Sequence, residues 1–275
     1  MNKRINGTLR TGFTLAELLV VIVIIVLLPA ILIPAIQQNS EQHKNIICRD
    51  NVKQWGLMLA MYTNDNNGHF MPGFNVRQGM WMIKLRPYGT DSNNIRLCPK
   101  ATKLLSTTGL IPDSFTAWGV YGDPGYNNWT PAYGAPGLYG SYGMNEWASD
   151  PHDPMQPGDL YQINPDDLPH YWRTIYQKNP NTIPVLGDSV WEGTKVFYID
   201  EPPAVPGVAP AGALWGMWNF CLPRHQSGNE YTVNLVFMDI SARKVPIKQL
   251  WKLKWSPLFR TDRNITRWPA WITPP

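Results

Sequence analysis

The residues of this 275-residue chain able to ligate, attack or titrate include three cysteines, five histidines and twenty carboxylates. Cys48, Cys98 and Cys221 lie far apart, and no C-x-x-C pair occurs. His43, His69, His152, His170 and His225 recur at no spacing that sets two imidazoles on one face of a helix or strand, as a metal site read from sequence would require. G-x-S-x-G, H-E-x-x-H and the phosphate-binding glycine loop are all missing. No catalytic residue, cofactor or metal is therefore expected, and the chain reads as a non-enzyme. One titratable group stands in a telling place. Glu17 directly precedes nineteen consecutive residues, Leu18 to Ile36, that carry no charged or hydrogen-bonding side chain.

The element that must hold Glu17 follows from that run. Fifteen of the nineteen residues are Leu, Ile or Val. As a helix the run extends nearly 30 Å at about 1.5 Å per residue, the thickness of a bilayer's hydrocarbon core. A cleaved secretory signal has a shorter apolar region of about 7–15 residues and ends at small residues, which are not found after Ile36. A transmembrane helix is expected, interrupted by Pro29 and by a kink at Pro34. Lys3, Arg4 and Arg10 precede it and orient the amino terminus to the cytoplasm. Those three account for most of the formal net charge of +4: the remainder carries 21 basic against 20 acidic residues. Such a body offers no electrostatic footprint for nucleic acid.

Gly12-Phe13-Thr14-Leu15-Ala16-Glu17-Leu18-Leu19-Val20-Val21 closely resembles the processing site of type IV prepilins and type II secretion pseudopilins. The resemblance implies that a prepilin peptidase removes residues 1–12 by cutting between Gly12 and Phe13 and N-methylates Phe13. It implies an inner-membrane protein with a periplasmic globular domain, extracted into a pseudopilus or pilus-like filament with other pilin or pseudopilin subunits. Glu17 falls where the family carries its glutamate, and Pro34 where pilins commonly carry a proline. Physical chemistry supports an assembly role for Glu17, because a carboxylate in an apolar bundle needs a positive partner or it protonates. The terminal amine of a neighbouring subunit supplies one and fixes the axial register.

Beyond the apolar run, Cys48, Val52, Trp55, Leu59 and Tyr62 recur at spacings of 4, 3, 4 and 3, one apolar stripe of a continuing helix. Asn64-Asp65-Asn66-Asn67-Gly68 stops it. Residues 68–180, rich in Gly, Pro, Tyr and Trp, read as irregular loops. Strands are expected at Thr182–Leu186, Thr194–Ile199, Tyr231–Met238 and Ala242–Ile247, the last two forming a hairpin. The expected fold is α+β: a pilin-like lollipop whose long amino-terminal helix packs its second half on an antiparallel sheet. Its parts are the leader (1–12), the transmembrane half-helix (13–36), the amphipathic half (37–64) and the globular domain (65–275).

This body resembles bacterial prepilin-like proteins with an expanded carboxy-terminal domain, through Cys48-Arg49-Asp50-Asn51, Leu97-Cys98-Pro99, Gly187-Asp188-Ser189 and Arg224-His225. That group places Asp-Gly nine residues after its histidine. Here thirteen residues separate His225 from Asp239, and Ile240 stands in place of the glycine. Outside the cytoplasm disulfides persist, and of three possible pairings Cys48–Cys98 is favoured, contributing about 2–4 kcal/mol; three buried thiols are the alternative. Gly187-Asp188-Ser189 and Asp167-Leu168-Pro169-His170 echo one esterase family, in reverse chain order. His225 is expected to bond Asp239 or Asp188. Thirteen tryptophans are expected mainly to fill gaps between loops. The alternative is a membrane-anchored envelope protein whose aromatic loops bind polysaccharide or another envelope component.

Overall fold

A computed structural model describes residues 15–73, 81–89, 94–104, 113–119, 139–157, 162–210 and 215–273, with the side chains of 29–39 outside that description. The leader, Gly12 and Phe13 lie outside the described residues, as does the side chain of Pro34. The chain is α+β and divides into two compact units, Met1–His43 and Lys44–Pro275. One helix, α1 (Leu15–Asp65), begins in the first unit and ends in the second, stopping inside the Asn/Asp cluster expected to end it.

In the first unit α1 is exposed on every face from Leu15 to Leu28. Leu19, Ile22, Ile25 and Val26 are each more than half exposed, at 57, 53, 61 and 65%. A helix that is apolar all round has no stripe with which to bury itself against one partner. Among the described residues, however, no helix is long and apolar enough to cross a membrane. The expected run continues through positions 29–36, whose side chains are not described.

In the second unit the sequence stripe is the buried face: Cys48, Val52, Trp55, Leu59 and Tyr62 all lie in one core. Trp55 stacks edge-on against Trp81 of the short helix α2 (Trp81–Leu85), with ring centroids 4.9 Å apart, and donates from Nε1 to Ile95 O at 3.0 Å. The helix ends in a left-handed turn at Asn67 and Gly68, where Gly68 N donates to Thr63 O at 2.7 Å. A side chain at Gly68 would strike the Tyr176 ring, so both φ and space demand glycine there.

The strands are β1 (Lys103–Leu104), β2 (Thr116–Ala117), β3 (Tyr142–Asn145), β4 (Pro184–Asp188), β5 (Gly193–Thr194), β6 (His225–Ser227), β7 (Glu230–Phe237) and β8 (Ala242–Pro246). β1 and β2 form a small parallel pair. The main sheet runs β5-β3-β4-β7-β6, with β8 on the other edge of β7. It is mixed rather than antiparallel as expected, because β5 pairs with β3 in parallel. The chain reaches β5 from β4 only after passing over the end of β3, where Ser189 N donates to Ser141 O. The strand expected over 194–199 is reduced to β5. After it, Val196 and Phe197 turn inward to separate apolar clusters.

Buried on both sides, β7 alternates Asn234 and Val236 toward α1 with Val233, Leu235 and Phe237 toward the carboxy-terminal segment. Gly56 lets α1 approach this sheet closely, since a Cβ there would meet Val236 at 2.9 Å. Trp251, Trp255 and Phe259 cover the other face. Among the described tryptophans, Trp55, Trp81, Trp118, Trp147, Trp251 and Trp255 are fully buried, as the gap-filling reading expects. Residues 120–138, part of the stretch expected to form aromatic loops, lie outside the described residues.

The β7–β8 hairpin forms as expected and turns without glycine. Ile240 adopts φ +64°, while Asp239 Oδ1 accepts from Ser241 N at 2.9 Å and Ser241 Oγ at 2.6 Å. A left-handed β-branched residue costs on the order of 1–2 kcal/mol. Ile240→Gly is therefore expected to stabilise the chain by about 0.5–1 kcal/mol, after the entropy that glycine adds to the unfolded state. Urea unfolding checks this, and a midpoint below the parent's would contradict it.

Candidate functional site

Four residues remote in sequence converge behind this sheet. α1 carries Cys48 on its buried stripe, the segment before Pro99 carries Cys98, β4 ends at Asp188, and β6 begins at His225. Their ligating atoms all lie within 4.8 Å of one another, and none of the four side chains is more than 1% exposed. Cys48 Sγ donates to Asp188 Oδ1 at 3.1 Å. Cys98 Sγ lies 3.3 Å from His225 Nε2, which in turn lies 3.5 Å from Asp188 Oδ2.

A ring of donors holds this cluster. Asp188 Oδ2 accepts the backbone N–H of Asn234 at 2.8 Å. The Tyr142 hydroxyl donates to Cys48 Sγ at 3.5 Å and accepts from Asn51 Nδ2 at 3.4 Å. Arg224, with no exposed surface, places Nη1 3.7 Å from Asp188 Oδ1. Its other reach is to backbone: Nε donates to Ser114 O and Nη1 to Ser141 O, each at 2.5 Å, and Nη2 to Ser189 O at 2.9 Å.

The electrostatics follow from this enclosure. Burial alone would raise the Asp188 carboxyl, but His225 and Arg224 draw it down to about 2. Burial disfavours the His225 imidazolium, yet the Asp188 carboxylate beside it lifts it to about 9. Burial pushes the Cys98 thiol up, and contact with Cys48 and His225 outweighs that, leaving it at about 6. Cys48 moves the other way, driven up by burial and by the neighbouring Cys98 and Asp188. The enclosure thus sets the acidic Cys98 and Asp188 against the basic His225 and Arg224, with Cys98, Asp188 and His225 each drawn toward its charged form by the opposite pair.

Three chemistries suit such a set: thiolate attack, disulfide formation and metal ligation. Attack through a serial Cys–His–Asp relay is not built, because both Cys98 and Asp188 face the same ring nitrogen, while Nδ1 is buried without a partner. The disulfide expected between Cys48 and Cys98 is not formed in the structure. Both are free thiols, each with its own polar partner, and Cys221 is a third buried free thiol apart from them. Metal ligation fits the donor types. Sequence spacing offered no ligand set, and the fold assembles one around His225.

The other expected residues fall elsewhere. Glu17 stands exposed in the first turn of α1. Of the two partners expected for His225, Asp188 is the one it meets, whereas Asp239 caps the hairpin turn. The esterase-like residues are not joined into a relay: His170 Nδ1 bonds Ser256 Oγ at 3.1 Å, and Ser189 Oγ accepts from Trp191 N. The role of Arg224 as a hub has no counterpart in the sequence pattern. The adjacency of a basic residue to His225 was its only local signal.

No protein-family model matches the chain, and no solved structure matches it. The described fold defines an α+β protein with a long amino-terminal helix and a mixed sheet. By sequence the chain is similar to the type II secretion system core protein G of Pseudomonas aeruginosa, at 31% identity over 80 residues, covering 29% of the present chain and 54% of that protein. The chain thus spans about half the length of the curated relative that it matches.

Proposed function

We propose that the chain is a pseudopilin-like structural subunit rather than an enzyme. Its amino-terminal helix is held in the inner membrane and then packs against the helices of other subunits in a type II secretion pseudopilus or related filament. The observation that carries this reading is the helix exposed on all sides from Leu15 to Leu28 and composed almost wholly of Leu, Ile and Val. Such a surface requires lipid or several neighbouring helices, and filament assembly offers each in turn. The processing-site resemblance around Gly12 and Phe13 and the similarity to a secretion core protein point the same way. In this reading a prepilin peptidase cuts after Gly12 and methylates Phe13, and the globular unit stays on the periplasmic side.

Intact-mass and amino-terminal peptide spectrometry of the chain purified from membranes tests this. The expected terminus is N-methylated Phe13. Recovery of the chain with residues 1–12 attached, or cut after Ile36, would overturn the filament reading.

A further inference from the structure

We propose that Cys48, Cys98, Asp188 and His225 form a structural zinc site that staples α1 to the sheet. The proposal rests on the side-chain cluster and is independent of the filament reading. A tetrahedral zinc with two thiolates, one imidazole and one carboxylate sets its donor atoms roughly 3.3–3.8 Å apart, given bonds of about 2.0–2.3 Å. The measured separations are 3.1 Å from Cys48 to Asp188, 3.3 Å from Cys98 to His225 and 3.5 Å from His225 to Asp188. All four donors lie within 4.8 Å of one another, so one ion at their centre reaches each with small side-chain rotations. Two sulfurs, a nitrogen and an oxygen form the borderline-soft donor set that zinc favours.

Charge permits the same ion. Three acidic groups, Cys48, Cys98 and Asp188, crowd a site without solvent, where unbalanced charge is costly. Binding displaces the protons of the Cys48 thiol and the His225 imidazolium, and the four ligands then total three negative charges. The guanidinium of Arg224, 3.7 Å from Asp188, leaves two, and a dication brings the enclosed set to zero. Outer contacts orient the ligands: Asn234 N–H to Asp188, and the Tyr142 hydroxyl to Cys48. With four protein ligands and no exposed face, the site has no position open for a substrate, which makes it structural.

Zinc adds metal–ligand bonds to the hydrogen bonds that already link these segments. It ties residue 48 of the helix to residues 98, 188 and 225, so the ion's binding free energy becomes folding free energy of the globular unit.

The test uses the full-length chain, purified without chelator and without a histidine tag. Elemental analysis is expected to find about one zinc per chain. Removal by chelator under reducing conditions should lower the melting temperature by roughly 10 °C, restored by zinc alone. Cobalt added to the reduced, zinc-free chain should give the intense visible bands of tetrahedral coordination with thiolate charge transfer. Both signals should vanish in His225→Ala and persist in Cys221→Ser, whose thiol lies outside the cluster. Because the wild-type readouts do not depend on any variant folding, they decide the matter. Zinc below about a tenth of an equivalent with no cobalt spectrum, or a Cys48–Cys98 disulfide in the freshly isolated chain, would overturn the proposal.

Discussion

Arg224→Met is expected to destabilise the globular unit by about 3–5 kcal/mol, because it strands a buried carboxylate and several carbonyls at once. The Arg224 guanidinium has no exposed surface and is the hub at which segments meet. It bonds Ser114 O and Thr116 O beside and within β2, Ser141 O before β3 and Ser189 O after β4, while facing Asp188. Methionine matches the volume but supplies none of those donors. Arg224→Lys should recover only a minor part of the loss, because one ammonium cannot span carbonyls that a planar fork reaches together. Against a total stability of about 5–15 kcal/mol, the methionine variant should unfold at a much lower urea concentration. A variant within about 1 kcal/mol of the parent would show that the buried charges balance without Arg224.

The second large effect is expected on assembly. Glu17→Ala should insert into the membrane as the parent does and fail to enter filaments or to co-purify with other subunits. The structure places Glu17 in the first turn of α1, where a negative charge is favoured by the helix dipole by about 0.3–1 kcal/mol. If that were its whole role, alanine would cost a little helicity and nothing more. Pairing with the terminal amine of a neighbour predicts a different scale. Losing one partner of a buried pair costs about 3–5 kcal/mol, more than a hundredfold in each subunit contact. Cross-linking in membranes and sheared-filament recovery separate the two roles. Normal assembly of Glu17→Ala would refute the pairing.

How much of this was legible in the sequence depends on the range of the interaction involved. The stripe Cys48, Val52, Trp55, Leu59, Tyr62 was legible because helical periodicity is a local property, and all five are buried as their spacing requires. The β7–β8 hairpin was legible for a similar reason, since two runs with β-branched residues flank the short connection Asp239-Ile240-Ser241. β3 was not. Tyr142-Gly143-Met144-Asn145 has weak strand propensity and lies in a glycine-rich stretch, and it becomes a strand because β4 and β5 hydrogen-bond to it on either side. The mixed character of the sheet was hidden too, as strand direction is set by how the chain returns.

The candidate site shows the same division more sharply. Each of its pieces stood out by itself: Cys48 on a helix, Cys98 before a proline, Gly187-Asp188-Ser189, and Arg224-His225 ahead of the hairpin. Nothing in their spacing joins them, because long intervening segments separate every pair. By itself the sequence determined the long helix, its oily first half, the acid at its start, the amphipathic stripe and the final hairpin. These depend on neighbours within a few residues, or on how apolar a continuous run is. Only the tertiary structure decided that two thiols, a carboxylate and an imidazole share one dry pocket of charge with a buried arginine. Such convergence is a product of sheet pairing and helix packing, which bring together groups that no local pattern relates.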